Sequence, residues 1–356
     1  MTARSFDDVA GASEGVETLG LIARGGMAEV SFARIPAVRE IVALKRLRPE
    51  IAEDPRAVAM FRDEVRIGAL FRHPNVVEVL EAGEDGGAPF LAMRYVPGEE
   101  LSALCRRAAA EGRRPSWREA LEVGRQAAAA LAHVHEACDE GGPLEVVHGD
   151  VSPPNLLVTA DGDVVLIDFG VARARFTAHR AGGAAAGKLA YMAPEQAAGG
   201  EPGAPADVFA LGVIAWELAA GARLFRGPRQ EVITRLLEGD VPPLARAAPG
   251  CPAAFESAVM AALSPSPADR PSARELEGAL AQAGEVTGPA VLSEFLGGTP
   301  PAVDGGGHTE PPPRQPSQAS EPSSGGRAAE APPWLLVASG AALAAAAFGL
   351  LALWWM

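Results

Sequence analysis

Five side chains stand in an order and at spacings that suit the transfer of a phosphoryl group. In HGDVSPPNLL, running from His148 to Leu157 behind the apolar pair Val146 and Val147, Asp150 and Asn155 are separated by a turn held by Pro153 and Pro154. Asp168 follows in VVLIDFG, after an apolar run that reads as a buried strand. One carboxylate can orient an attacking hydroxyl, while an amide oxygen and a second carboxylate are hard ligands for Mg2+. Lys45 in VALK supplies a compact cation for phosphate oxygens, and Glu64 can hold it in place. RGGMAEV, from Arg24 to Val30, is a glycine-rich turn in which Gly25 and Gly26 let backbone N–H groups approach phosphates.

Taken singly, each feature has an ordinary explanation: Asp and Asn form turns, a glycine pair makes a hairpin, and isolated Lys and Glu are surface charges. Their joint order carries the chemical reading. Lysine usage adds to it. Of 31 basic residues only Lys45 and Lys188 are lysine, and an ammonium is a point charge that a planar guanidinium cannot copy against crowded phosphate oxygens.

The surrounding periodicities say what positions these groups. From Leu19 to about Val96, the β-like runs EVSFARI, IVALKRL, VVEVLEAG and APFLAMRYV surround one helical segment, DPRAVAMFRDEVRIGALFR. After Gly98 the pattern turns helical. WREALEVGRQAAAALAHVHEA is amphipathic, and PADVFALGVIAWELAAG is apolar nearly all round, as a buried helix would be. The expected fold class is α+β and bilobal, a small β-rich lobe over residues 17–94 and a larger helical lobe over 98–284, with the chemistry in the cleft between them.

With GKLAYMAPEQ (Gly187 to Gln196), ADVFALGVIAWEL with Asp207, and ADRP with Arg270 added in the same order, residues 17–284 resemble a eukaryotic-like bacterial serine/threonine protein kinase. The resemblance implies ATP and Mg2+ as cosubstrate and cofactor and proteins as substrates. Lys45 would contact the α- and β-phosphates and Glu64 would hold Lys45. Asp150 would orient the substrate hydroxyl, and Asn155 and Asp168 would hold magnesium. AMRYV, Ala92 to Val96, matches the hinge that grips adenine, with Met93 as gatekeeper beside Tyr95 and Val96. Glu195 and Arg270 would form a buried ion pair of structural purpose.

The departures from that family are specific. Of three expected loop glycines the chain keeps Gly25, with Ala23 and Ala28 at the other two positions, so two methyl groups crowd the phosphate cover. Gly149 stands where an arginine normally binds a phosphorylated activation loop, and Ser152 stands where a lysine normally meets the γ-phosphate. Between Asp168 and Gly187 the single hydroxyl side chain is Thr177, so activity is expected not to need activation-loop phosphorylation. Lys188 occupies the position of a threonine that usually contacts the missing lysine, and is expected to replace it as a catalytic residue. The HGD....N pattern also resembles aminoglycoside and choline phosphotransferases, which usually lack the DFG and APE motifs present here. A pseudokinase scaffold is the remaining alternative, and such proteins tend to lose residues of the Lys45, Asp150 or Asp168 type.

The net charge of −14 argues against a general nucleic-acid binder. The three cysteines, Cys105, Cys138 and Cys251, lack metal or redox spacing and read as free buried thiols. No secretory signal opens the chain, so residues 1–16 are expected to be a flexible cytoplasmic start. Residues 285–333 are rich in Pro, Gly and Ser and read as a disordered linker. Residues 334–356, about 23 without a charge, suffice for one transmembrane helix, with Trp334, Trp354 and Trp355 at the interfaces. The expectation is a kinase domain on the cytoplasmic side of the inner membrane, with signals arriving from the cytoplasm or from a partner or second copy through the membrane helix.

Overall fold

The computed structural model describes residues 10–11, 15–85, 88–139, 142–169, 189–284 and 288–297. Thr177, Lys188 and the apolar segment 334–356 lie outside the described residues, and no described helix is long and apolar enough to cross a membrane.

Alternating aliphatic residues build the N-terminal lobe. Strands β2 (Glu17–Arg24), β3 (Ala28–Ile35) and β4 (Val38–Leu47) form an antiparallel meander. β4 then pairs with β6 (Ala88–Arg94), which pairs with β5 (Val79–Asp85). One face of this sheet buries Ala33, Ile35, Val42, Leu44, Phe90 and Ala92 as a closed cluster. The other receives helix α2 (Pro55–Ala69), whose Phe61 and Val65 pack with Leu47, Val79, Leu91 and Met93. α2 starts cleanly because the Asp54 carboxylate accepts the Arg56 N–H at 2.9 Å and Pro55 gives up no hydrogen bond at the first turn. A four-residue helix, α1 (Pro49–Ala52), precedes it.

The sheet extends further than the expected flexible start allows. Strand β1 (Ala10–Gly11) runs parallel to β5, with Ala10 opposite Ala82 and Gly11 opposite Gly83, so backbone pairing orders part of residues 1–16.

The C-terminal lobe is helical, as the change of period requires. After β7 (Gly98–Glu100) come α3 (Leu101–Ala110) and α4 (Trp117–His135). α4 opens with a capping box: the Ser116 hydroxyl accepts the Arg118 N–H at 3.2 Å, and Glu119 accepts the Ser116 N–H at 2.7 Å. A two-residue ribbon, β8 (Cys138–Asp139) with β9 (Gly142–Pro143), leads to the catalytic stretch. The hairpin of β10 (Leu156–Thr159) and β11 (Val164–Leu166) then completes a three-stranded sheet with β7. Beyond residue 188 follow α5 (Pro194–Ala197), α6 (Ala204–Ala220), α7 (Arg229–Glu238), α8 (Leu244–Ala247), α9 (Ala253–Ala262) and α10 (Ala273–Gln282). α6 is buried continuously from Ala206 to Leu218, the burial that its all-round apolarity demands.

The ordered lobe also runs past the expected boundary at residue 284. Helix α11 (Ala290–Leu296) buries Leu292 and Leu296, and Arg107 Nη1 donates to the Leu296 carbonyl at 3.3 Å. Its entry is matched by glycine: Gly162 has φ +86, and a Cβ there would lie 1.9 Å from the Pro289 carbonyl oxygen. The start of the expected 285–333 linker is thereby corrected. Its apolar residues Val291, Leu292, Phe295 and Leu296 fall within a window of seven, too short to establish a helical period against the Pro/Gly/Ser background.

All three cysteines are free, but none is fully buried: Cys138 is exposed, and Cys105 and Cys251 are half-buried. Burial pushes the Cys105 thiol up to about 12, which keeps it protonated and inert at neutral pH.

Candidate active site

The cluster is assembled from both lobes. Strand register places Lys45 between Val30 and Leu91, in the middle of the sheet, where its side chain is buried. Its ammonium donates to Glu64 Oε1 on α2 at 2.5 Å and also to Asp168 Oδ1, which follows β11. An ammonium so removed from water is tolerable only when its charge is met by well-placed anions, and here two carboxylates from different elements converge on it.

Asp150 is fixed by its own loop. Pro153 to Asn155 form one 3-10 turn that swings Asn155 back, so its amide nitrogen donates to the Asp150 backbone carbonyl at 2.7 Å and to Asp150 Oδ2 at 3.1 Å. Ile167 N–H donates to the Asn155 carbonyl at 3.0 Å, which sets Asp168 beside this turn. Asp168 has φ +59, in the left-handed region that Asp tolerates better than most residues.

Beneath the loop lies Asp207 of α6, almost wholly buried, accepting the His148 N–H and the Gly149 N–H at 2.8 Å each and facing His135 Nε2 at 2.9 Å. His148 has its Nε2 at 3.1 Å from the Ile167 carbonyl and its Nδ1 at 3.3 Å from the Asp150 N–H. Both contacts require the proton on Nε2. The anchoring role of Asp207 and the presence of His135 were missed in the sequence reading. His135 lies in a helix with no spacing that links it to Asp207; only the packing of α4 on α6 joins them.

Gly149 proves to serve the backbone. It has φ +73, and its N–H is one of the two that Asp207 holds. A side chain there would strain the loop by roughly 1–2 kcal/mol. The Gly149→Arg protein, which restores the residue usual in the family, is therefore expected to lose about that much unfolding free energy in urea titrations and to gain no turnover. A Gly149→Arg protein as stable as its parent and more active would contradict this.

Aromatic rings connect the loop to the N-terminal lobe. Phe169 stacks on Phe71 at 5.1 Å between ring centroids and lies 5.3 Å from His148. His133 meets Phe71 edge-on and stacks on His73 at 5.0 Å. Burial lowers the pKa of both His73 and His133, and their mutual repulsion lowers that of His73 further, so the pair stands neutral at neutral pH.

The remaining expected residues fall around the cleft. Met93 is buried at the end of β6, paired with Ala43 and Val79, while Tyr95 and Val96 are half-buried, Tyr95 lying edge-on to Phe32 at 5.0 Å. Gly25 and Gly26 are exposed in a turn closed by the Gly25 N–H to the Ala28 carbonyl at 2.8 Å. Ala28 is buried and lines the same cleft as Lys45. Glu195 and Arg270 form a two-pronged pair at 2.7 Å for each contact. Nearby, Tyr191 donates to buried Glu217 of α6 at 2.9 Å, and Glu217 also receives Arg223 at 3.1 Å and the Leu224 N–H at 3.0 Å. Burial raises the pKa of Glu217.

The donor set fits a hard divalent cation. With the Asn155 amide nitrogen committed to Asp150, its Oδ1 is the atom left to ligate, and Asp168 adds a carboxylate; Mg2+ characteristically takes one or two protein oxygens and completes its shell with phosphates and water.

The two-lobed fold thus brings one buried lysine to two carboxylates, with an Asp–Asn turn alongside. The family model of the protein kinase domain matches residues 16–278, and the chain belongs to that family. It is 38% identical over 267 residues to the tyrosine-protein kinase MasK of Myxococcus xanthus, covering 73% of this chain and 41% of that protein. It is 37% identical over 213 residues to the serine/threonine-protein kinase PknA of Mycobacterium tuberculosis, covering 58% of this chain and 47% of that protein. The crystal structure of the Mycobacterium tuberculosis PknI kinase domain superposes with a TM-score of 0.57 at 27% identity, covering 77% of this chain and 98% of that one. The match thus spans less than half the length of these curated relatives.

Proposed function

We propose that the protein is an ATP-dependent protein kinase that phosphorylates Ser and Thr hydroxyls of protein substrates in bacterial signalling. The observation that carries the reading is the contact of Lys45 with both Glu64 and Asp168, an arrangement that a working phosphotransfer site needs and whose residues pseudokinase scaffolds tend to lose. Asp150, held by Asn155, orients the incoming hydroxyl and takes up its proton. Lys45 steadies the phosphate oxygens, with Glu64 fixing its position, and Asn155 and Asp168 are the residues that would hold Mg2+. When bound, Mg2+·ATP supplies the γ-phosphoryl group and a counter-charge for its oxygens. The Glu195–Arg270 pair and the motifs around it favour a protein substrate over the small molecules used by aminoglycoside-type kinases.

The names of the relatives divide between tyrosine and serine/threonine kinases, so the hydroxyl class needs direct measurement. Full-length protein incubated with labelled ATP, Mg2+ and a generic protein substrate is expected to yield phosphoserine and phosphothreonine on acid hydrolysis. Phosphotyrosine alone would move the assignment to the tyrosine class. Label on an aminoglycoside instead would move it to small-molecule kinases.

Two further parts of the proposal rest on sequence. Lys188 replaces the lysine absent at Ser152 and stabilises the charge of the transferring phosphoryl group. Lys188→Met is expected to lower turnover on the order of 10² to 10³ with little change in ATP affinity, whereas near-normal turnover would refute that role. Residues 334–356 tether the kinase to the inner membrane, kinase domain inside, with Arg327 on the linker side giving a weak positive-inside bias. Full-length protein is therefore expected in the membrane fraction, and recovery in the soluble fraction would refute the tether.

A further inference from the structure

Met27 sits at the tip of the glycine-rich turn, yet it is half-buried while its neighbours Gly25 and Gly26 are exposed. Its backbone is pinned. The Gly25 N–H reaches across the turn to the Ala28 carbonyl, and the Arg48 N–H donates to the Met27 carbonyl at 2.9 Å. Arg48 immediately precedes α1, so the tip is stitched to the connection that leads into α2. With Ala23 and Ala28 at two of the three usual glycine positions, the turn also has less backbone freedom than a fully glycine-rich one.

Met27 borders a narrow cleft, partly open to solvent, whose opposite wall is α2. That wall consists of Ala57, Met60, Phe61 and Glu64, with Lys45 and Leu47 rising from β4. Positions 57, 60, 61 and 64 recur as i, i+3, i+4 and i+7, one stripe of a helix. The apolar part of the stripe therefore runs straight into the carboxylate that holds Lys45. Methionine is suited to such a gap, because its unbranched, polarizable thioether adapts to irregular surfaces. Two methionines, Met27 and Met60, face the cleft from opposite sides.

We propose that Met27 is a positioning residue: its side chain docks on the Ala57–Met60–Phe61 stripe of α2 when nucleotide draws the turn down, and so couples the phosphate cover to Glu64. The role rests on the kinase reading above but concerns a residue that reading leaves without a task. The turn could not close as firmly without an apolar anchor, and α2 could not sense the nucleotide except through Lys45.

The test is a double-mutant cycle in the full-length chain with Met27→Ala and Met60→Ala, read as the Kd of a non-hydrolysable ATP analogue with Mg2+ and, separately, as kcat and KM for ATP. Each single change is expected to weaken nucleotide binding about tenfold, as loss of one half-buried apolar side chain implies. The double variant should be no weaker than the poorer single, because both remove the same contact. Met27→Leu should restore most of the affinity. Additive effects in the cycle, or Met27→Ala binding within twofold of the parent, overturn the proposal. Turnover distinguishes this from the kinase reading: a parent chain that binds the analogue and shows the coupling but transfers no phosphate sinks the enzyme assignment and leaves the docking intact. A parent that binds no nucleotide overturns both.

Discussion

The Asp150→Asn protein is expected to bind Mg2+·ATP with nearly parental affinity and to turn over on the order of 10² to 10⁴ times more slowly. The geometry separates the two properties. Asn155 donates to both the backbone and the side-chain oxygen of Asp150, so an amide in place of the carboxylate keeps its shape and one acceptor for that bond. It loses the negative charge that orients a hydroxyl and accepts its proton. The residues proposed to contact nucleotide, Lys45 and the hinge from Met93 to Val96, lie on other elements. Steady-state assays with labelled ATP, paired with titration of an ATP analogue, check both halves. Turnover within a few-fold of the parent would mean that another group orients the substrate hydroxyl and that Asp150 is only part of the loop's scaffold.

The second large effect is on stability. Arg270→Ala is expected to lower the unfolding free energy by about 3 kcal/mol, the lower end of the cost of leaving one member of a buried pair without its partner, because Glu195 keeps some exposure to water. The Arg270 side chain is fully enclosed, and besides its two contacts with Glu195 it donates to the carbonyls of Ser264 at 2.8 Å, Pro205 at 3.0 Å and Pro265 at 3.1 Å. It also lies over the Phe209 ring, 4.9 Å from the centroid. One planar fork thus joins α5, the start of α6, and the turn after α9. Arg270→Lys should recover little, since an ammonium cannot make two parallel bonds to one carboxylate and still reach three carbonyls. Urea unfolding followed by far-UV circular dichroism gives the number. A loss below about 1 kcal/mol, the worth of an ordinary hydrogen bond, would show the pair to be dispensable.

Much of this protein was legible from its residues. That Lys45 would meet Glu64, and that Asp150, Asn155 and Asp168 would gather near them, could be read because few side-chain types suit such a site and because the runs around most of them already announce a strand or a tight turn. The division into a strand-rich lobe and a helical lobe followed from the change of period near Gly98, and the buried course of α6 from the lack of any polar face between Ala206 and Leu218. Local patterns of this kind are written in neighbouring positions, where geometry over a few residues is nearly independent of the rest of the chain.

What the tertiary structure alone decided concerns residues far apart in sequence. That Asp207 holds the amides of His148 and Gly149 depends on the approach of α6 to a loop more than fifty residues earlier, for which no spacing rule exists. Gly149 read as an arginine lost; its φ of +73 makes glycine the least strained residue there, and a backbone angle is set by what the loop must bond to rather than by its own residue type. Ala10 and Gly11 carry no strand signal, yet they pair with β5 because that edge had unfilled backbone groups to offer. The short α11 likewise exists as a packed element because Arg107 and the turn at Gly162 receive it. In each case the free energy comes from a partner surface that the local sequence cannot contain.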